Sequence, residues 1–137
     1  MLSVRGSDFS VLLGGDIDEA VERRLASQGL AQHEVLVAPH HGSSSSSSRV
    51  LIDAVQPALA LVSAAADNRY AFPHEEVLTR YAAAGVPVLS TAHCGGLRVI
   101  GGDGVGIKVR FARQARKAIW RYPAAGDCRF EAPGEGI

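Results

Sequence analysis

Apolar and polar positions along this chain fall into two alternating kinds of run. Short continuous apolar stretches recur at "FSVLL" (9–13), "EVLVA" (34–38), "ALALVSA" (58–64) and "VPVLST" (86–91). Runs of this length, bounded by glycine, proline and polar residues, predict buried strands. Between them the apolar residues recur at helical spacing. Ile17, Ala20, Val21 and Leu25 share one face of a helix expected to open at Asp16 and to stop at Gly29. A short helix is predicted over 49–55, ahead of Pro57, and another over about 73–84, ending at Gly85. "LRVIGGDGVGIKVRF" predicts two strands around a turn at 101–104.

Strand and helix therefore alternate before a closing hairpin, which predicts an α/β protein with a largely parallel or mixed sheet. "FARQARKAIWRYP" places Ala112, Ala115, Ile119 and Tyr122 on one helical face and Arg113, Arg116, Lys117 and Arg121 on another. That pattern predicts a basic amphipathic helix. The Gly/Pro-rich residues after Pro123 are expected to fray. The organisation is thus a domain over 1–110 and a basic helix with a tail over 111–137.

With 137 residues, 47% of them hydrophobic, the chain suits one compact core. No apolar run approaches the ~20 residues needed to cross a bilayer, and "MLSVRGSDFS" lacks the apolar segment of a signal peptide. By itself the chain is expected to be soluble. Net charge is zero, yet half of the 14 basic residues lie between Lys108 and Arg129, with Asp127 alone opposing them. The ordinary reading is a solvated helix face; the sharper one is contact with nucleic acid or anionic lipid. Cys94 and Cys128 are far apart and predict neither a disulfide framework nor a cysteine zinc site, which fits a reduced compartment.

Candidate chemistry follows each strand. Asp16 comes after the first, His40 and His41 after the second, Asn68 and His74 after the third, His93 and Cys94 after the fourth. Loops after the C-termini of parallel strands meet along one rim, where ligands bind. Each residue has a plainer explanation. Asp16 with Glu19 makes a capping-box variant, although a capping carboxylate keeps a second oxygen for a metal. His40 and His41, between Pro39 and Gly42, are either ligands suited to zinc or manganese or residents of a flexible loop with the six serines. Asn68 after Asp67 is strong turn chemistry. His74 is equally a surface residue at a helix start, His93 and Cys94 read as turn filler, and His33 reads as a surface residue. Of the serines, only Ser43 is close enough to help hold His41.

Taken together, "LLGGD", "VLVAPHHGSSSSS", "NRYAFPHEEVLTRY" and "STAHCGGLRV" resemble the metallo-β-lactamase-fold domain at the end of ComEC-type DNA-internalisation competence proteins. The resemblance covers about 10–100 and rests on Gly-Asp followed downstream by Pro-His-His-Gly-Ser. It implies the C-terminal half of an αββα sandwich, a mixed sheet flanked by helices. It further implies a two-ion divalent metal site, zinc or manganese, with Asp16, His40, His41 and His74 as metal ligands. Asp16 and His41 would be catalytic, and Ser43 and Asn68 would bind substrate; outside the span of the resemblance, the basic face with Arg113, Arg116, Lys117 and Arg121 would add contacts to DNA phosphates. Three departures stand out: Phe72 where many relatives carry histidine, so that either His74 substitutes for it or the site is weakened; Gly14 in place of threonine; and His93-Cys94 where relatives carry a charged pair.

The family's main metal motif, His-x-His-x-Asp-His, is absent from the chain, as are membrane-channel segments. The chain thus reads as a fragment whose partners are the missing N-terminal half of the domain, the membrane channel and, through the whole protein, DNA. The whole family protein resides in the bacterial inner membrane. The implied function is metal-dependent phosphodiester hydrolysis in DNA uptake, with the isolated chain inactive. The alternatives are a non-catalytic structural or DNA-tethering piece, or a stand-alone small-ester metallohydrolase. Half a sandwich is also expected to expose an apolar sheet face and to self-associate.

Overall fold

The computed structural model describes residues 1–102, 104, 106–112 and 128. Its main sheet has five strands in the order β1 (Leu2–Arg5), β2 (Ser10–Leu13), β3 (Val35–Val37), β4 (Leu59–Val62) and β5 (Val88–Ser90). Strands β2 to β5 run parallel, and β1 pairs antiparallel with β2 at the edge. The crossovers are α1 (Glu19–Ser27), α2 (Arg49–Val55) and α3 (Glu75–Ala83). After β5 come a single helical turn, α4 (Thr91–Cys94), and an antiparallel hairpin of β6 (Leu97–Ile100) and β7 (Lys108–Phe111). The fold is a mixed α/β sheet with flanking helices. Among the described residues no helix is long and apolar enough to cross a membrane.

Alternating side chains build two cores, one on each face of the sheet. Leu12, Leu36, Ala60 and Val62 meet Leu51, Ile52 and Val55 of α2 and Val77 and Tyr81 of α3 on the first face. Val35, Leu59 and Leu89 occupy the second, and here the expectation of a broadly exposed apolar face is corrected. Leu97, Val99, Val109 and Phe111 of the β6–β7 hairpin pack over it, leaving Val35 and Leu59 at 0% exposure. Large apolar side chains that stay in water include Leu2, Val4 and Leu13 at the β1 edge, with Val21, Tyr70 and Leu78 elsewhere on the surface.

Strand β1 escapes a pattern reading because all four of its residues are exposed. What holds it is pairing with β2, from Leu2↔Leu13 to Arg5↔Ser10, and a buried histidine. His33 is 3% exposed, not a surface residue. Its Nδ1 lies 2.8 Å from the Ala31 carbonyl, which can only accept, so Nδ1 carries the proton and Nε2 accepts from the Ser3 hydroxyl at 2.7 Å. Close by, the Glu34 carboxylate accepts from both the amide and the hydroxyl of Ser10, chiefly the hydroxyl, which holds its pKa below the usual value. A lowered carboxylate pKa stabilises above the unfolded-state value, so this tie between β2 and β3 is lost as pH falls through it.

The reading of the cysteines is also corrected. Cys94 at the end of α4 is joined to Cys128, and both are buried. Residues 34 apart in sequence bring no spacing motif with them, so nothing local announced the pair. Disulfides persist in oxidising compartments, which argues against the reduced one expected. Closing a loop of that length restricts the unfolded chain by roughly 3–4 kcal/mol. Reduction is therefore expected to lower the urea midpoint by that amount of stability, measured with and without a phosphine reductant. An unchanged midpoint would show the bond contributes nothing.

Candidate functional site

Loops at the C-terminal ends of β2, β3 and β4 converge on one rim. The His40 amide donates to the Gly15 carbonyl at 2.7 Å, tying the second loop to the first. Thr91 Oγ1 accepts from the Ala64 amide at 2.9 Å and donates to the Ala64 carbonyl at 2.8 Å, fixing the third. Between them lies a cleft of about 510 Å³. Asp16, His40, His41, Ser43 and Asn68 line it, joined by Phe72 and by Tyr70, which nothing in the sequence had singled out.

Asp16 is exposed on the cleft wall and does not cap α1. That role falls to Asp18, whose Oδ1 accepts from the Val21 amide at 3.0 Å. The helix starts later than expected, and the loop 14–17 stays free to follow the rim. Gly14 sits against Pro39: a Cβ there would lie 2.6 Å from Pro39 Cγ and 2.8 Å from its backbone.

Residues Pro39–Gly42 form a tight turn in which His40 (φ 48°) and His41 (φ 56°) both adopt left-handed backbone. Such residues cost on the order of 1–3 kcal/mol each and persist where surroundings over-determine them. Here the His40 carbonyl accepts from the Ser43 amide at 2.9 Å. His41 Nδ1 is 2.8 Å from the Ser63 carbonyl, so Nδ1 bears the proton and Nε2 presents a lone pair. Gly42 completes the turn at φ +82°, where a Cβ would lie 2.6 Å from Pro73 Cβ. Gly42→Ala is expected to cost about 2 kcal/mol or more. Urea unfolding at unchanged slope would register it, and a loss under about 0.5 kcal/mol would contradict the account.

His74 is the N-cap residue of α3 but not a cleft wall. Its Nδ1 accepts from the Ser44 amide at 3.0 Å, and its Nε2 lies 3.0 Å from the Tyr70 carbonyl. Neutral imidazole satisfies both contacts with one proton on Nε2, which leaves no lone pair for a metal. Asn68 is similarly spent on its own loop. Its Nδ2 donates to the Ala65 and Phe72 carbonyls at 2.9 and 2.8 Å, and its Oδ1 accepts from the Phe72 amide at 2.8 Å. His93 is exposed on α4 and does not line the cleft.

The serine run is the largest departure from expectation. Far from a flexible loop, Ser43, Ser46, Ser47 and Ser48 are buried. Glu22, at 0% exposure, accepts the Ser47 amide at 2.7 Å on one carboxylate oxygen and the Ser48 amide at 2.8 Å on the other. Ser48 caps α2, so the carboxylate also lies at that helix's positive end. Ser46 Oγ donates to the Pro39 carbonyl at 2.8 Å. From α3, Arg80 donates to the Ser46 carbonyl at 2.8 Å and the Tyr81 hydroxyl to Ser47 Oγ at 3.1 Å. Burial pushes the Tyr81 phenol up to about 12, so it remains a neutral donor. The serines are a hub that fastens the His-His turn to α1 and α3.

Among the described residues no group of three or more His, Cys, Asp or Glu gathers closely enough to hold a metal ion. Asp16, His40 and His41 line the same cleft, and a metal there would need further donors. The predicted basic helix, with Arg113, Arg116, Lys117 and Arg121, lies outside the described residues.

The chain is 36% identical over 123 residues to competence protein ComA of Neisseria gonorrhoeae, covering 88% of this chain and 18% of that protein. It is 39% identical over 88 residues to protein YcaI of Escherichia coli K12, covering 63% and 12%. To recombination protein 2 of Haemophilus influenzae it is 38% identical over 90 residues, covering 66% and 11%. The chain thus spans less than a fifth of the length of these curated relatives. No family model and no solved structure matches it.

Proposed function

We propose that this chain supplies one wall of a metal-dependent phosphodiesterase centre in a ComEC-type competence protein, acting on DNA during uptake, and that its fold is the C-terminal half of a metallo-β-lactamase-like sandwich. The observation that carries the reading is the His40–His41 turn. Two successive residues hold left-handed backbone and line a cleft shared with Asp16, and the Ser63 carbonyl engages Nδ1 of His41 so that Nε2 keeps its lone pair. Backbone strain of this kind, held by surrounding bonds, is what a positioned ligand set requires. Similarity to a competence protein and a recombination protein supports the DNA-handling context.

Neutral imidazole and carboxylate suit zinc or manganese. Such ions, when bound, lower the pKa of a water and offset charge on a phosphoryl oxygen. Asp16 and the Nε2 atom of His41 would hold such ions from this side, with His40 beside them. Ser63, through its carbonyl, keeps the His41 proton on Nδ1. His74 and Asn68 serve as positioning residues: one braces Ser44 and Tyr70, the other shapes the loop that carries Phe72.

In this reading the remaining donors come from beyond the described residues. For the chain alone, the lack of a three-donor cluster among the described residues favours a second reading, a non-catalytic piece of a larger assembly. An end-labelled DNA cleavage assay with manganese or zinc separates the two, run on the chain and on a form extended upstream through its coding sequence. Cleavage is expected in the extended form only. Absence of cleavage there favours the non-catalytic reading, and cleavage by the short form would sink the divided centre.

A further inference from the structure

The cleft has an aromatic flank that the metal-centred reading leaves unused. Phe72 stacks on Tyr70, ring centroids 5.4 Å apart and planes 20° apart, and faces His41 at 6.4 Å and 24°. His40 and His74 meet the edges of Phe72 at 5.9 and 5.2 Å. Tyr70 is 54% exposed, although an aromatic ring gains most from burial. The Arg69 guanidinium lies over that ring, 4.7 Å from its centroid, and also bonds its hydroxyl. More than half of Tyr70 stays in water with a cation over its ring, at the end of a ladder that begins at a candidate ligand.

We propose that Arg69, Tyr70 and Phe72 form a base-stacking platform for single-stranded nucleic acid. The proposal deepens the phosphodiesterase reading and rests on it, naming the substrate class as a single strand. A nucleobase takes the place of the guanidinium over Tyr70, and Arg69 turns to the neighbouring phosphate. The next phosphate is then delivered towards Asp16 and His41. Aromatic faces accept any base, so the platform carries no sequence preference. Paired bases in a duplex are stacked on one another and cannot reach Tyr70, so the platform discriminates against duplex. A polypeptide or sugar occupant would leave the cation beside the ring without a phosphate to meet.

The test is equilibrium binding of a fluorescein-labelled dT oligonucleotide to the 137-residue chain, by anisotropy in EDTA, so that neither metal nor cleavage enters. Tyr70→Ala is expected to weaken binding about tenfold, within the roughly 5- to 150-fold that one lost base stack implies. Tyr70→Phe should retain wild-type affinity, which separates stacking from loss of the hydroxyl contact. Tyr70 is exposed, so both variants should keep the wild-type circular dichroism and melting midpoint. An abasic oligonucleotide of equal length should bind at the weakened level and be indifferent to the substitution. Equal affinity of Tyr70→Ala and wild type for the dT oligonucleotide would overturn the platform, as would a duplex bound as tightly as the single strand. Because these readouts exclude metal, the platform can fail while the centre stands, and the reverse.

Discussion

Glu22→Ala is expected to remove about 4–6 kcal/mol of stability, most of what a small domain possesses. The carboxylate is fully buried and its two oxygens take the Ser47 and Ser48 amides. Deleting it strands two buried donors at about 1–3 kcal/mol each and leaves a void besides. Glu22→Gln keeps the volume but turns an NH₂ towards one of the two amides, so a smaller loss of roughly 2–3 kcal/mol is expected. Urea unfolding gives both values, and hydrogen exchange at the Ser47 and Ser48 amides locates them. If Glu22→Ala cost under about 1 kcal/mol with those amides still protected, the hub would not depend on the carboxylate. The consequence reaches function, because Ser46 holds the Pro39 carbonyl and the His40 carbonyl takes the Ser43 amide. Loosening the serines releases the turn that presents both histidines.

His41→Ala, placed in the upstream-extended protein, is expected to lower DNA cleavage by more than 100-fold. Substitutions one layer removed from a metal typically cost 10- to 100-fold in affinity or activity, so loss of a direct donor should exceed that. The ring is exposed and anchored by one bond to Ser63, so stability should change by less than about 1 kcal/mol. His74→Ala should show the opposite profile. Both its nitrogens bind backbone, so its loss should lower stability first and activity only as far as the loop moves. Equal activity for His41→Ala and the parent would remove His41 from the centre.

The four buried strands and three crossover helices were legible because apolar runs and helical spacing are local signals. Helix α2 matched its expected span, Arg49–Val55, since Pro57 blocks continuation and Gln56 takes the left-handed position. Gathering of the post-strand loops on one rim followed from parallel order. What was not legible depends on contacts distant in sequence. Nothing local in the sequence marks Glu22 for burial, which is set by serines 25 and 26 positions away. The serine run carried a low-complexity signature, yet its atoms are ordered by α1 and α3 rather than by its own sequence. Strand β1 had no apolar pattern to read, and Cys94 had no nearby partner to announce the disulfide. His74 and Asn68 lie where a ligand reading wants them, but the hydrogen bonds that occupy them appear only in the fold.

The most direct measurement is metal content of the upstream-extended protein, by mass spectrometry after dialysis, for wild type and for His41→Ala and Asp16→Ala. The account predicts two equivalents of zinc or manganese in the wild type, and one or fewer in each variant. Undiminished metal in both variants would contradict the claim that this chain forms one wall of the centre.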